Sequence, residues 1–235
     1  MTHAVRRTSQ TVAAAVVLAT AVALTAPTLP QVAAAAPARS AAAKPQKTIV
    51  DAKFDSTKRG DVDPRSFRSQ VGATNKNSGA YGGMKYRKDY RGSGNVVRTT
   101  LAKGKTIHSS GAGRGNVLMI KLPHAYDSAC MAYDVRFSAG FDFSAGGKLP
   151  GFVGVAPGTR PSTPAGGGST AHGWSGRLMW LGSKMWKLVR DARATNMVVT
   201  YLYHPGQARR YGDNVTWGSS FAPGSWHHVR QCNTM

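Results

Sequence analysis

The sequence predicts an all-β fold, and three observations carry that prediction. From Asn95 onward, short runs rich in β-branched and aromatic residues recur: "NVVRTTL", "NVLMIKL", "ACMAYDVRF", "KLPGFVGV", "GRLMWL", "MVVTYLYH" and "SWHHVRQC". Gly, Pro and Ser close each run, the punctuation of a sandwich or barrel. Helical periodicity of useful length is confined to "SKMWKLVRDARA" at 183–194.

Taken in order, the chain opens on an export pattern. Arg6 and Arg7 precede the apolar run "TVAAAVVLATAVALTA", and "APA" at 36–38 supplies a small-residue cleavage site, so residues 1–38 read as a signal peptide. The run is too short and Ala-rich, with Pro27 and Pro30 behind it, to read as a membrane anchor. A secreted, extracellular protein with no membrane span after cleavage is expected. Residues 39–94, from "RSAAAKPQKT" through "GATNKNSGAYGGMKYRKDYRGSG", read as a flexible, basic, Gly-rich leader. Residues 95–235 then carry the β-rich domain. The interval 154–174, "GVAPGTRPSTPAGGGSTAHGW", reads as a mobile loop over one face.

Charge narrows the partner. Removing residues 1–38 takes Arg6 and Arg7 from the 31 basic residues and none of the 10 acids, leaving a net charge of +19. A field of that sign draws in polyanions, whether nucleic acid, membrane surface, cell-wall polymer or acidic polysaccharide. All ten acids are Asp and none is Glu, a small pool for the paired carboxylates of a glycoside hydrolase. Cys130 and Cys232, in an exported chain, read as a structural disulfide rather than free buried thiols. With no histidine spacing to complete a ligand set, no metal site and no cofactor are expected.

Strand alternation places the side chains of interest. In "WSGRLMWL", Ser175 and Arg177 share a face with Met179, opposite Leu178 and Trp180; in "MVVTYLYH", Val199, Tyr201 and Tyr203 oppose Val198, Thr200 and Leu202. Lys148 sits between Gly147 and a Leu-Pro-Gly corner in "FDFSAGGKLPGFVG", a stretch shaped to hold an ammonium group on a strand rim. This set suits β-elimination on a uronic-acid chain. Lys148 and Arg177 would neutralise the carboxylate and stabilise the enolate-like state. Tyr201 and Tyr203 would move the proton, and no carboxylate catalyst is required. Plainer readings stand beside each assignment. Lys148 is equally a solvated turn lysine, Arg177 a partner of Asp134 or Asp142, and the tyrosine pair half-buried packing. His172 or His204 would serve as a base near neutral pH, and "MKYRKDYRG" at 84–92 as a single-stranded nucleic-acid platform.

The runs "YDVRFSAGFDFSAGGKLPGFVG", "GWSGRLMWL" and "TYLYHPGQ" together resemble polysaccharide lyase family 14, the alginate- and glucuronan-lyase group, over about residues 95–235. The resemblance implies a β-jelly-roll sandwich whose concave face binds polyuronate, with the family's lysine on Lys148, its serine and arginine on Ser175 and Arg177, and its two tyrosines on Tyr201 and Tyr203. Ser175 would orient substrate, with His172 beside it. In the family pattern, further strands follow the one resembling "GSWHHVRQCNTM"; this sequence stops at Met235, so a partial jelly roll is expected. The expected partner is an acidic polysaccharide and not nucleic acid, met by a monomer. The rival expectation is a noncatalytic polyanion- or carbohydrate-binding protein, or an inactive lyase remnant.

Overall fold

The structure is a computed structural model that describes residues 47–72, 83–89, 91, 94–106, 108–113, 115–183 and 196–234. The export segment 1–38 and the helical pattern at 183–194, Ser183 apart, lie outside the described residues. The chain divides into Met1–Ile49 and Val50–Met235. The second unit carries β1 (Gly60–Asp61), α1 (Pro64–Val71), β2 (Met84–Lys88), β3 (Asn95–Thr99), β4 (Ser128–Arg136), β5 (Gly147–Val155), β6 (Gly173–Leu181), β7 (Met197–Tyr203), β8 (Asp213–Ser220) and β9 (Trp226–Thr234). These form three antiparallel sheets, ordered β1-β2-β3, β4-β9 and β5-β6-β7-β8. The fold is an all-β sandwich.

Residues 50–72 and 83–89, within the stretch that composition reads as a flexible leader, carry β1, α1 and β2. Asp63 caps α1, its carboxylate accepting from the Ser66 amide at 2.8 Å. Pro64 fills the first turn, and Gly72 ends the helix in the left-handed region at φ 66°. Phe67 and Val71 then face inward and meet Val62, Met84 and Tyr86 in a core of their own, with Phe54, Val97 and Leu118 against it. Phe54 stacks on Phe67 with ring centroids 5.8 Å apart, and the Tyr86 hydroxyl donates to Gln70 at 2.9 Å. Composition misleads here because few apolar residues, scattered among charges and glycines, are enough when strands and helix converge on them.

Two further expectations change. "NVLMIKL" at 116–122 forms no strand, and Val117 and Ile120 are exposed. Conversely β8, "DNVTWGSS", is a strand that its Asp, Asn, Gly and Ser content conceals. It sits at a sheet edge, where cross-strand hydrogen bonds to β7 compensate for weak propensity.

The four-stranded sheet is packed on one face by the β4–β9 pair. Leu178, Trp180 and Val198 point there and meet Phe137, Phe143, Phe221 and Val229. Phe137 is the hub, with its ring 4.8–5.2 Å from those of Phe141, Phe143, Trp180 and Phe221, in the tilted and edge-on contacts that aromatic quadrupoles favour. The last strand is paired with β4 over its whole length, Ser128 opposite Thr234 through Arg136 opposite Trp226.

Within that pair Cys130 faces Cys232, and the two form a disulfide with Cα atoms 4.1 Å apart and a sequence separation of 102. Closing a loop of that length restricts the unfolded chain by about 4–5 kcal/mol in the chain-entropy account. A Cys130→Ser/Cys232→Ser protein should lose stability of that order. Urea unfolding of the two proteins checks it, and equal midpoints would rule out a stabilising bridge.

Candidate active site

The face of the four-stranded sheet away from the phenylalanine core carries the site, and its layout follows from the strand register. Gly151, Arg177, Tyr201 and Asn214 stand opposite one another across β5, β6, β7 and β8. One row along, Val153, Ser175 and Tyr203 align; one row the other way, Lys148, Met179 and Val199. Directly opposed residues of antiparallel strands share a face. Lys148, Arg177 and Tyr201 are thereby neighbours on the face away from the phenylalanine core.

The glycines around Lys148 have a steric cause. A side chain at Gly147 would run into the Trp180 indole, and one at Gly151 into the backbone of Gly176 and Arg177. Between Lys148 and Gly151 the register slips, so that Leu149 and Pro150 form a bulge. Bulges re-aim side chains and accommodate proline on an edge strand. Leu149 drops against the aromatic core, and Lys148 is delivered to the opposite face, its Nζ 5.3 Å from the Tyr201 ring centre. The residue is exposed, yet desolvation, and then the Arg177 charge beside it, hold its pKa below the ordinary lysine value.

Arg177 is the strongest marker. Its Cζ lies 6.0 Å from the Tyr201 ring centre, and its buried Nε and Nη2 have no hydrogen-bond partner. The expected structural partners are engaged elsewhere. Asp134 binds Arg91 and His228, and Asp142 accepts from the Ser144 amide. A buried guanidinium with unmet donors costs about 1–3 kcal/mol or more until an acceptor arrives.

The tyrosines do not play equal parts. Tyr203 is wholly buried, and its hydroxyl accepts from the Gly167 amide at 2.9 Å while sharing a 3.1 Å hydrogen bond with the Tyr201 hydroxyl. Tyr201 is half-buried. Burial, followed by its bond to Tyr203, pushes its pKa above the ordinary tyrosine value, against smaller opposing effects of the Gly212 amide and Arg177. It is therefore a neutral donor rather than a standing phenolate.

Ser175 departs from its expected role. It is buried, and its hydroxyl donates to the Pro164 carbonyl at 2.5 Å, so it anchors a loop instead of facing substrate. That loop, 156–172, is not the free flap its glycines suggest. Ala156 N donates to His172 O at 2.9 Å across its neck, Ser175 holds Pro164, and Tyr203 holds Gly167. The His172 side chain is exposed at the loop's end. His204 is bonded to Asp213 at 2.9 Å, and Asp213 pairs with Leu202 on the face opposite the tyrosine hydroxyls. Sequence reasoning missed Asn214 because it lies on the unrecognised strand β8; only the pairing with Tyr201 reveals it. Among the described residues, no group of three or more His, Cys or Asp could hold a metal ion.

The Polysaccharide lyase 14 family model matches residues 90–235. None of the curated proteins matches the sequence. Two solved structures share the fold. A lysine-to-alanine, tyrosine-to-alanine double mutant of the alginate lyase Aly36B, in complex with alginate tetrasaccharide, is 21% identical with a TM-score of 0.51, over 79% of this chain and 68% of its own. A marine alginate lyase of the same family from Aplysia kurodai is 21% identical with a TM-score of 0.54, over 66% of this chain and 60% of its own.

The two loop anchors yield a stability test. Tyr203→Phe leaves the ring packed but removes the acceptor for the Gly167 amide, and Ser175→Ala removes the donor to Pro164. Each should cost about 1–3 kcal/mol and expose residues 156–172 to protease. Thermal melts and limited proteolysis check both, and unchanged cleavage in the loop would contradict the anchoring.

Proposed function

The chain belongs to the polysaccharide lyase 14 family, and on that premise we propose that it cleaves a polyuronate of alginate or glucuronan type by β-elimination. The observation that carries the reading is the pair of unmet, buried donors on Arg177 beside Lys148 and Tyr201. A uronate carboxylate is the planar acceptor that such a guanidinium fits.

With the carboxylate on Arg177, the negative charge that develops next to C5 is stabilised. Lys148, whose pKa is lowered by desolvation and the Arg177 charge, takes the C5 proton in its neutral form. The electron pair forms the C4–C5 double bond, the C4–O4 bond breaks, and O4 receives the Tyr201 hydroxyl proton. Arg177 and the Gly212 amide stabilise the resulting phenolate. Transfer of the proton from the Lys148 ammonium to that phenolate through water restores both groups. Tyr203 acts through Tyr201 and is a positioning residue.

We also propose that the protein works outside the cell. The Arg6/Arg7 export pattern and the Cys130–Cys232 bridge support this, since disulfides persist in oxidising compartments. No described helix is long and apolar enough to cross a membrane.

Incubation with alginate and with glucuronan, read by absorbance of the unsaturated product, tests the proposal. Binding without absorbance on either polymer would instead favour a noncatalytic polyanion binder. Lys148→Ala should lower kcat by about 10²–10⁴-fold with an unchanged melting temperature, because it removes a rim cation and opens no core cavity.

The pH profile has a definite sign. Activity should rise as Lys148 loses its proton, at a pH below the ordinary lysine value, and fall only as Tyr201 ionises above the ordinary tyrosine value. The Arg177 charge helps hold the Lys148 pKa down, so Arg177→Gln should move the rising limb to higher pH as well as weaken substrate binding. A rising limb that stays in place or moves to lower pH would remove Lys148 as the base.

A further inference from the structure

The cross-strand row that holds Arg177 and Tyr201 ends at Asn214. Its buried Oδ1 has no hydrogen-bond partner. The row thus carries unmet bonds of opposite kind on either side of Tyr201, donors on Arg177 and an acceptor on Asn214. With neighbouring strands about 4.8 Å apart, two strand gaps separate them by roughly 10 Å. A uronate chain presents both complements, carboxylate oxygens to accept and ring hydroxyls to donate.

Beyond Asn214 the site continues into a cavity of about 150 Å³ lined by Arg209, Arg210, Tyr211, Gly212, Asp213 and Asn214. The turn that builds it is braced from within. The Gln207 side chain accepts from the His204 amide at 3.2 Å and donates to the carbonyls of Arg209 and Arg210 at 2.7 and 3.4 Å. The Arg210 guanidinium lies over the Tyr211 ring at 5.7 Å. The anchored loop closes against the same two residues, for a Cβ at Gly167 would stand 2.9 Å from Arg210 Nε and 3.2 Å from Tyr211 Cε1. Asp213, the carboxylate in this cavity, is committed to His204, which leaves Arg210 to face an anion.

We propose that Asn214 and Arg210 form a second sugar subsite, one uronate residue along the chain from the carboxylate held by Arg177, with Asn214 accepting a ring hydroxyl and Arg210 holding the neighbouring carboxylate. The inference rests on the polyuronate reading of the site, but it concerns binding and not the elimination step. A residue that grips the polymer equally before and during the reaction raises affinity and leaves kcat alone.

The test is calorimetric binding of saturated alginate and glucuronan tetrasaccharides to the wild type, Asn214→Ala and Arg210→Ala, with steady-state rates on the polymers alongside. Each variant should bind its preferred tetrasaccharide about tenfold more weakly and show a similar rise in KM with kcat retained. The Arg210→Ala deficit should shrink at high salt, where ion pairing is screened. Arg210 is on an exposed turn, so its variant reports on the subsite even where Asn214→Ala disturbs β8. If the wild type binds but releases no unsaturated product, the lyase reading fails and the affinity comparison still decides the subsite. Wild-type affinity in Arg210→Ala, a fall in kcat with KM unchanged, or no binding of either tetrasaccharide by the wild type would each overturn it.

Discussion

The antiparallel register of β5, β6, β7 and β8 is the constraint on which the rest depends. Side chains of a strand alternate, so a slip of one residue would exchange the two faces. Arg177 would then point at Phe137, and Leu178 away from it. The aromatic cluster forbids this: Leu178, Trp180 and Val198 fill one face with Phe137, Phe143, Phe221 and Val229, and removing a phenylalanine from such a packing costs about 3–5 kcal/mol. The core thus fixes the register, and the register sets Lys148, Arg177, Tyr201 and Asn214 side by side. The bulge at Leu149 and Pro150 completes the arrangement by sending the leucine inward and the lysine outward.

A second layer of order comes from the loop 156–172. Tyr203 and Ser175 are fully committed to it. The same tyrosine hydroxyl that receives the Gly167 amide also meets the Tyr201 hydroxyl, which couples the loop's position to the group proposed to donate the proton. Loosening the loop would therefore disturb Tyr201 without touching it.

The scarcity of carboxylates has a spatial counterpart. Asp61 pairs with Lys85, Asp89 and Asp134 with Arg91, and Asp213 with His204. None of these stands in the row of Arg177 and Tyr201. A carboxylate there would satisfy Arg177 and raise the Lys148 pKa, and it would repel the polyuronate. The unmet donors of Arg177 leave that place to the substrate.

The sequence by itself determined the all-β class and the faces of β6 and β7, because period-two alternation is a local property that a single strand displays. Its glycines and proline around Lys148 also announced a shaped backbone, though not the Trp180 indole and the Gly176 backbone that require it. Only the tertiary structure decided the rest. It turned Ser175 and Tyr203 from substrate-facing groups into anchors of a loop, since hydroxyls find their partners across eleven and thirty-six residues of chain. It gathered Phe54, Val62, Val71 and Met84 around Phe67 and Tyr86, although scattered apolar residues have no period to read. And it brought Asn214 into the site from a strand whose composition hides it, because an edge strand is specified by the neighbour it pairs with more than by its own side chains.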